Sequence, residues 1–183
     1  MDLRTFLRPR SVPLQPMPTI GMHAPAAPEL VVASGRACII TFLRHVGCPF
    51  AEATFRQLIP LSQAYPAVEF VAVSHATADA TAGWCATLGG PVRVRVVVDT
   101  DRTLYAAWGL GLTDARHFLG ARSLAAVARL AASGIRNRHP SGTRWQTAGT
   151  FALDAAGIVR WRHIPAHAGD LPDLVAALAM LAA

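Results

Sequence analysis

The residues best placed for chemistry lie in one short stretch, Arg44-His45-Val46-Gly47-Cys48-Pro49-Phe50. Cys48 is a nucleophile when ionised, and only the thiolate reacts. Pro49 is a preferred first residue of a helix, which places Cys48 at the N-cap. There the sulfur is expected to face free backbone N–H groups and the positive end of the helix dipole, both of which favour the thiolate. Arg44 and His45 share the loop and are expected to add positive charge. Gly47 lets the chain turn and a substrate approach the sulfur. Glu52, one turn into the helix, acts against the thiolate if it nears the sulfur. The competing reading of Cys48 is a small buried hydrophobe, the usual lot of a free cysteine.

The elements that hold this loop alternate between strand and helix. Residues 37–43 form a nearly continuous apolar run, expected of a central strand buried on both faces. A helix follows from Pro49 to about Ala64, then a buried strand over 68–73 and a helix over 76–88 stopped by Gly89-Gly90. Residues 92–98 alternate Val with Arg at first, as a strand near the sheet edge would. Asp101 is expected to cap a short helix over 102–108. An Ala-rich helical segment spans 114–133, and strands over 150–153 and 158–163 are joined by a turn at Gly157. Asp170 is expected to cap a final helix, with Asp173 in its first turn. Parallel βαβ units followed by an antiparallel hairpin and a terminal helix give an α/β thioredoxin-like fold: a central mixed sheet flanked by helices, with a helical insertion. Before it, residues 1–28 carry six prolines (Pro9, Pro13, Pro16, Pro18, Pro25, Pro28) and read as an extended arm. The domain proper is expected over 29–183. The arm either lies along the domain surface or reaches a neighbouring subunit, so a homodimer is among the expected partners.

The loop resembles the active-site loop of the peroxiredoxin-like branch of the alkyl hydroperoxide reductase and thiol-specific antioxidant superfamily, which shows an Arg and then Gly-Cys-Pro-Phe-Cys. Residues 99–109 (DTDRTLYAAWG), 146–151 (QTAGTF) and 168–170 (AGD) are similar to further segments of that branch. The resemblance spans about residues 20–183. It implies a thiol oxidoreductase acting on a peroxide or disulfide through Cys48. Two places depart from the pattern. Ala51 stands where the branch has its second cysteine, so dithiol exchange within the motif is impossible. His45 and Ala148 stand where a typical peroxiredoxin has a Thr or Ser and an Arg. Regeneration then falls to an external thiol. Catalytic residues on this reading are Cys48, Arg44 and His45. Gly47, Pro49 and Phe50 line the substrate side. His75, at a strand end where parallel sheets place ligands, and Gly149, where a thioredoxin fold usually carries a cis-proline, complete it. A non-redox step on a small metabolite and a non-catalytic binding domain remain as alternatives, both kept open by Ala51.

Bulk properties narrow the classes. The chain has 183 residues, 52% of them apolar, enough to bury a sizeable core. Its net charge is +6 and all 17 basic residues are arginine. These are spread from Arg4 to Arg162 without a dense run, so no nucleic-acid partner is expected. The apolar stretch at residues 174–183 falls short of the ~20 residues a spanning helix needs, and no membrane partner is expected. Arg4, Arg8 and Arg10 are not followed by an apolar segment, so no secretory signal is read and a cytoplasmic location is expected. Cys38, inside the first strand, and Cys85, beside Trp84 on a helix, read as core residues. Neither a CxxC pair nor a helical HxxxH is present, since Pro165 separates His163 from His167; no metal and no cofactor are expected.

Overall fold

In the computed structural model, which describes residues 6–30 and 35–182, five strands form one mixed sheet. The elements run β1 (Cys38–Phe42), α1 (Pro49–Ala64), β2 (Glu69–Ser74), α2 (Ala78–Thr87), β3 (Val94–Val98), α3 (Thr103–Ala107), α4 (Ala115–Leu119), α5 (Ala121–Ala132), β4 (Gly149–Leu153), β5 (Val159–His163) and α6 (Leu174–Ala182). The sheet order is β3-β2-β1-β4-β5. β1 pairs in parallel with β2 and β2 with β3, while β4 is antiparallel to both β1 and β5. This is the thioredoxin-like plan expected from the alternation of strands and helices, with β3 at an edge.

Successive strand side chains point to opposite faces, so β1 feeds two cores. Ile39 joins Phe55 and Leu58 of α1, Trp84 of α2 and Leu174 of α6 on one face. Cys38, Ile40 and Phe42 join Leu104, Tyr105 and Trp108 on the other. The central strand carries the site: β1 ends where the Cys48 loop begins, and the loop inherits the rigidity of a strand buried along its whole length.

Three local expectations are corrected. The segment expected as one helix over 114–133 is two, α4 and α5, because Gly120 is extended at φ −63°, ψ 154°. Asp101 does not cap α3. Arg102 takes a left-handed conformation at φ 61°, and the Asp99 carboxylate receives the N–H groups of Thr103, Leu104 and Tyr105 at 2.9–3.2 Å. Asp170 does not cap α6. Pro172 disfavours helix for the residue before it, α6 starts at Leu174, and Asp173 accepts the Ala176 N–H at 2.9 Å. The Asp170 carboxylate instead receives the Ala166 N–H.

The arm lies along this domain. Gln15 N–H donates to Ala106 O, Arg162 to Pro18 O, and Gly21 and Ala24 pair with the β4–β5 hairpin. Arg4 lies outside the described residues.

Candidate functional site

β1 ends at Phe42 and the chain turns through Gly47, at φ +82°, into α1. The glycine is required twice. Its φ is costly for any other residue, and a Cβ there would collide with the backbone carbonyl of His139. Cys48 is the N-cap of α1, extended at φ −74°, ψ 130°, and Pro49 opens the helix. The sulfur, however, makes no hydrogen bond to the helix N–H groups. Its polar contact is Arg44, whose Nη1 lies 3.8 Å from Sγ.

Arg44 is an unusual cation, only 4% exposed. Nη2 donates to Arg144 O at 2.7 Å, and the guanidinium lies 5.7 Å from the centre of the Phe118 ring. Nε has no partner, and among the described residues no carboxylate pairs with Arg44. Burying a charge without a counter-charge is expensive. The ionisable group its Nη1 approaches is the Cys48 thiol.

His45 adds no positive charge, contrary to the expectation from its place in the loop. Burial, with Arg44 nearby, pushes its pKa down to about 3. Its Nδ1 lies 3.0 Å from Val46 O, and its carbonyl receives the Cys48 N–H. His75 is also neutral at physiological pH, its pKa pushed down to about 4 by burial. Its Nδ1 is 3.5 Å from the Tyr105 hydroxyl, and its Nε2 receives the Thr143 N–H at 3.2 Å. The Tyr105 hydroxyl proton is shared between Leu43 O and Val73 O, at 2.7 and 2.8 Å, tying together the ends of β1 and β2. His75 thus braces the strand ends against residue 143. Gly149, by contrast, lines one pocket with Arg44, Phe50, Ala51 and Thr54.

A segment far along the chain covers the loop. Arg138 N–H donates to Gly47 O and Ser141 N–H to Val46 O, and Cys48 is left 2% exposed. The cover is pinned by Glu52, buried at 1% exposure, which receives Arg138 Nε at 2.7 Å and Arg56 Nε at 3.0 Å. Burial opposes ionisation of Glu52, but hydrogen bonds from Arg138 and Arg56 prevail and hold its carboxyl below the usual range. Its charge is therefore neutralised by two arginines. Sequence reading missed Arg138 and Arg144. Both lie in a stretch without hydrophobic period, 86 and 100 residues beyond the groups they bond.

The other two thiols are buried as expected. Burial pushes the Cys38 pKa up to about 12, and it raises that of Cys85. Among the described residues no cluster of three or more metal-ligating side chains occurs, and no helix is long and apolar enough to cross a membrane.

Residues 54–167 match a family model described as AhpC/TSA antioxidant enzyme, a stretch that begins just after Cys48. A peroxiredoxin-like protein from Aquifex aeolicus is structurally similar at TM-score 0.64 and 15% identity, over 94% of this chain and 96% of that one. A thiol peroxidase from Chromobacterium violaceum gives 0.64 at 16% identity, over 92% and 89%. Peroxiredoxin Q from Xanthomonas campestris gives 0.53 at 16%, over 81% and 77%. At such identities the likeness shows the shared thioredoxin-like fold. No curated protein matches the sequence.

Proposed function

This chain belongs to the AhpC/TSA antioxidant enzyme family, and from that premise we propose that it reduces a hydroperoxide, or a disulfide, through Cys48 alone. The observation that carries the reading is the buried Arg44 guanidinium, with Nη1 3.8 Å from the Cys48 sulfur and no carboxylate partner among the described residues. Such a cation favours the thiolate, the nucleophilic form.

The thiolate attacks the terminal oxygen of ROOH. An S–O bond forms as the O–O bond breaks, the sulfur loses two electrons, and the leaving alkoxide takes a proton and departs as ROH. An external thiol then attacks the sulfenic acid. A mixed disulfide forms and water leaves; a second thiol restores Cys48 and releases the oxidised disulfide. Ala51 supports the need for that outside thiol, because no second cysteine stands in the motif. Arg44 is the charged partner of the sulfur. His45 holds the loop through its backbone and ring, while Gly47, Pro49 and Phe50 shape the approach and Gly149 lines the pocket beyond Arg44. His75 takes a bracing role. Three unpaired cysteines support a reducing, cytoplasmic setting.

The test is consumption of hydrogen peroxide in the presence of a small thiol. Wild type and Cys85→Ala should turn over, and Cys48→Ser should not. Full activity in Cys48→Ser would refute Cys48 as the nucleophile, and a wild type that consumes no peroxide would return the chain to the readings without redox chemistry, a step on a small metabolite or a binding role.

A further inference from the structure

The N-terminal arm reaches the neighbourhood of the sulfur. Trp145 Nε1 donates to Phe6 O at 3.0 Å, the Arg144 guanidinium lies 4.5 Å from the centre of the Phe6 ring, and the Arg8 guanidinium lies 5.1 Å from the Trp145 ring. These contacts join a closed circuit around Arg44. Arg144 O receives Arg44 Nη2 at 2.7 Å. Trp145, next in the chain, meets Phe118 edge-on at 5.2 Å. Phe118 lies against the Arg44 guanidinium, which completes the ring.

From this circuit we infer that Phe6, Arg8 and Trp145 are positioning residues for the Cys48 chemistry: the arm clamps the Arg144–Trp145 backbone, whose carbonyl fixes one Nη of Arg44 and so aims the other at the sulfur. The inference rests on the proposed role of Cys48. A guanidinium is a rigid planar fork, so fixing one nitrogen sets the direction of the other. Without the carbonyl, Arg44 keeps only its contact with Phe118 and the sulfur.

Two features separate this role from a merely structural one. The arm is anchored independently further on, by Arg102 to Arg10 O, by Gln15 to Ala106 and by the hairpin contacts of residues 21–24. Changes at Phe6 and Arg8 therefore leave the rest of the arm in place. The second feature is the set of charges. Besides His117, whose pKa burial and Arg44 push down to about 4, and Asp170, which lines a pocket with Arg44, it holds the groups nearest the sulfur. Arg44 and Arg144 both act on it, the carboxylate of Glu52 is held by Arg138 and Arg56, and His45 and His75 are neutral at physiological pH.

The experiment follows iodoacetamide alkylation of Cys48 against pH, read on its own peptide by mass spectrometry, in wild type, Arg44→Met, the double variant Phe6→Ala/Arg8→Ala, and Trp145→Phe. The pH midpoint reads the electrostatics at the sulfur, and the high-pH plateau reads access to it. In both the double variant and Trp145→Phe the midpoint should move to higher pH, and alkylation at pH 7 should slow by about 2- to 12-fold: Trp145→Phe gives up one neutral hydrogen bond, and the double variant, which keeps the Phe6 carbonyl, gives up two cation–ring contacts of comparable worth. Unfolding midpoints are measured alongside, and the midpoint shift is expected without a matching loss of fold. A plateau that rises while the midpoint stays put would overturn the inference, since the arm would then be a shield only. So would wild-type profiles in both strap variants while Arg44→Met shifts. An unshifted Arg44→Met profile would instead remove the reading of Arg44 and Cys48 on which the inference rests.

Discussion

Replacing Arg44 with methionine should separate reactivity from stability. The side chain is 4% exposed, 3.8 Å from the sulfur, and without an ion-pair partner among the described residues. An opposite charge this close to an ionising group is generally worth about 1.4–4 kcal/mol in favour of its charged form. Its loss should slow the reaction of Cys48 with peroxide or iodoacetamide at neutral pH by roughly 10- to 1000-fold. Stability should respond differently. The variant gives up the charge-assisted hydrogen bond to Arg144 O, worth about 1.5–3 kcal/mol, and the contact with Phe118, worth about 0.5–1 kcal/mol. Against this it relieves the burial of a cation that has no carboxylate partner, and removal of buried charge is often neutral or stabilising by about 1–4 kcal/mol. Methionine is long and flexible enough to fill the space. Urea unfolding read by tryptophan fluorescence should therefore show a change between a loss of about 3 kcal/mol and a gain of about 2 kcal/mol. An unchanged reaction rate would refute the electrostatic argument. A loss of more than ~3 kcal/mol would also refute it, by showing that Arg44 is a compensated structural strut.

The cover and the buried histidines give two more expectations. Gly47→Ala imposes a left-handed strain of about 1–2 kcal/mol and drives the chain at His139 away from the loop. The melting temperature should fall by about 2–8 °C, and the high-pH plateau of Cys48 alkylation should rise; an unchanged plateau would show that residues 138–141 do not limit access. His45 and His75 have folded pKa values of about 3 and about 4, below the ordinary value of 6.5. Between 6.5 and these values the unfolded chain binds protons that the folded chain does not. Their stability contribution is thus whole above pH 6.5 and lost on acidification, by at most about 2.7 kcal/mol per pH unit for the two together. The depressed carboxyl of Glu52 adds its own loss only at lower pH, below the ordinary glutamate value of about 4.3. Unfolding midpoints that stay flat from pH 7 to pH 5 would contradict the assignment of both rings as neutral.

What the sequence made legible follows from short-range physics. The apolar run of residues 37–43 and the Pro49 that follows Cys48 placed the central strand and the helix N-cap, because burial and proline geometry act within a few residues. The edge position of β3 showed in its alternating arginines. Local cues misled where a neighbour competed for the same group. Asp101 and Asp170 looked like caps, but the left-handed turn at Arg102 and the proline at 172 moved both helix starts. His45 looked like a cation because its type suggests one; its charge depends on burial and on Arg44, which no local pattern reports. The partners that enclose the sulfur were least legible. Arg138, Arg144 and Trp145 come from a loop without periodicity, and the arm residue that meets Arg144 and Trp145, Phe6, lies 139 residues before Trp145. Its course over its own domain was one of two that the prolines allowed.

The most direct test of the account is to find where oxidation lands. The protein is treated with one equivalent of hydrogen peroxide in the presence of dimedone, which traps sulfenic acids, and the adduct is located by mass spectrometry. The account predicts a dimedone adduct on Cys48, with Cys38 and Cys85 unmodified, and an adduct that forms far more slowly in Arg44→Met. An unmodified Cys48 in protein whose peroxide has been consumed, or an adduct on Cys85 alone, would contradict it.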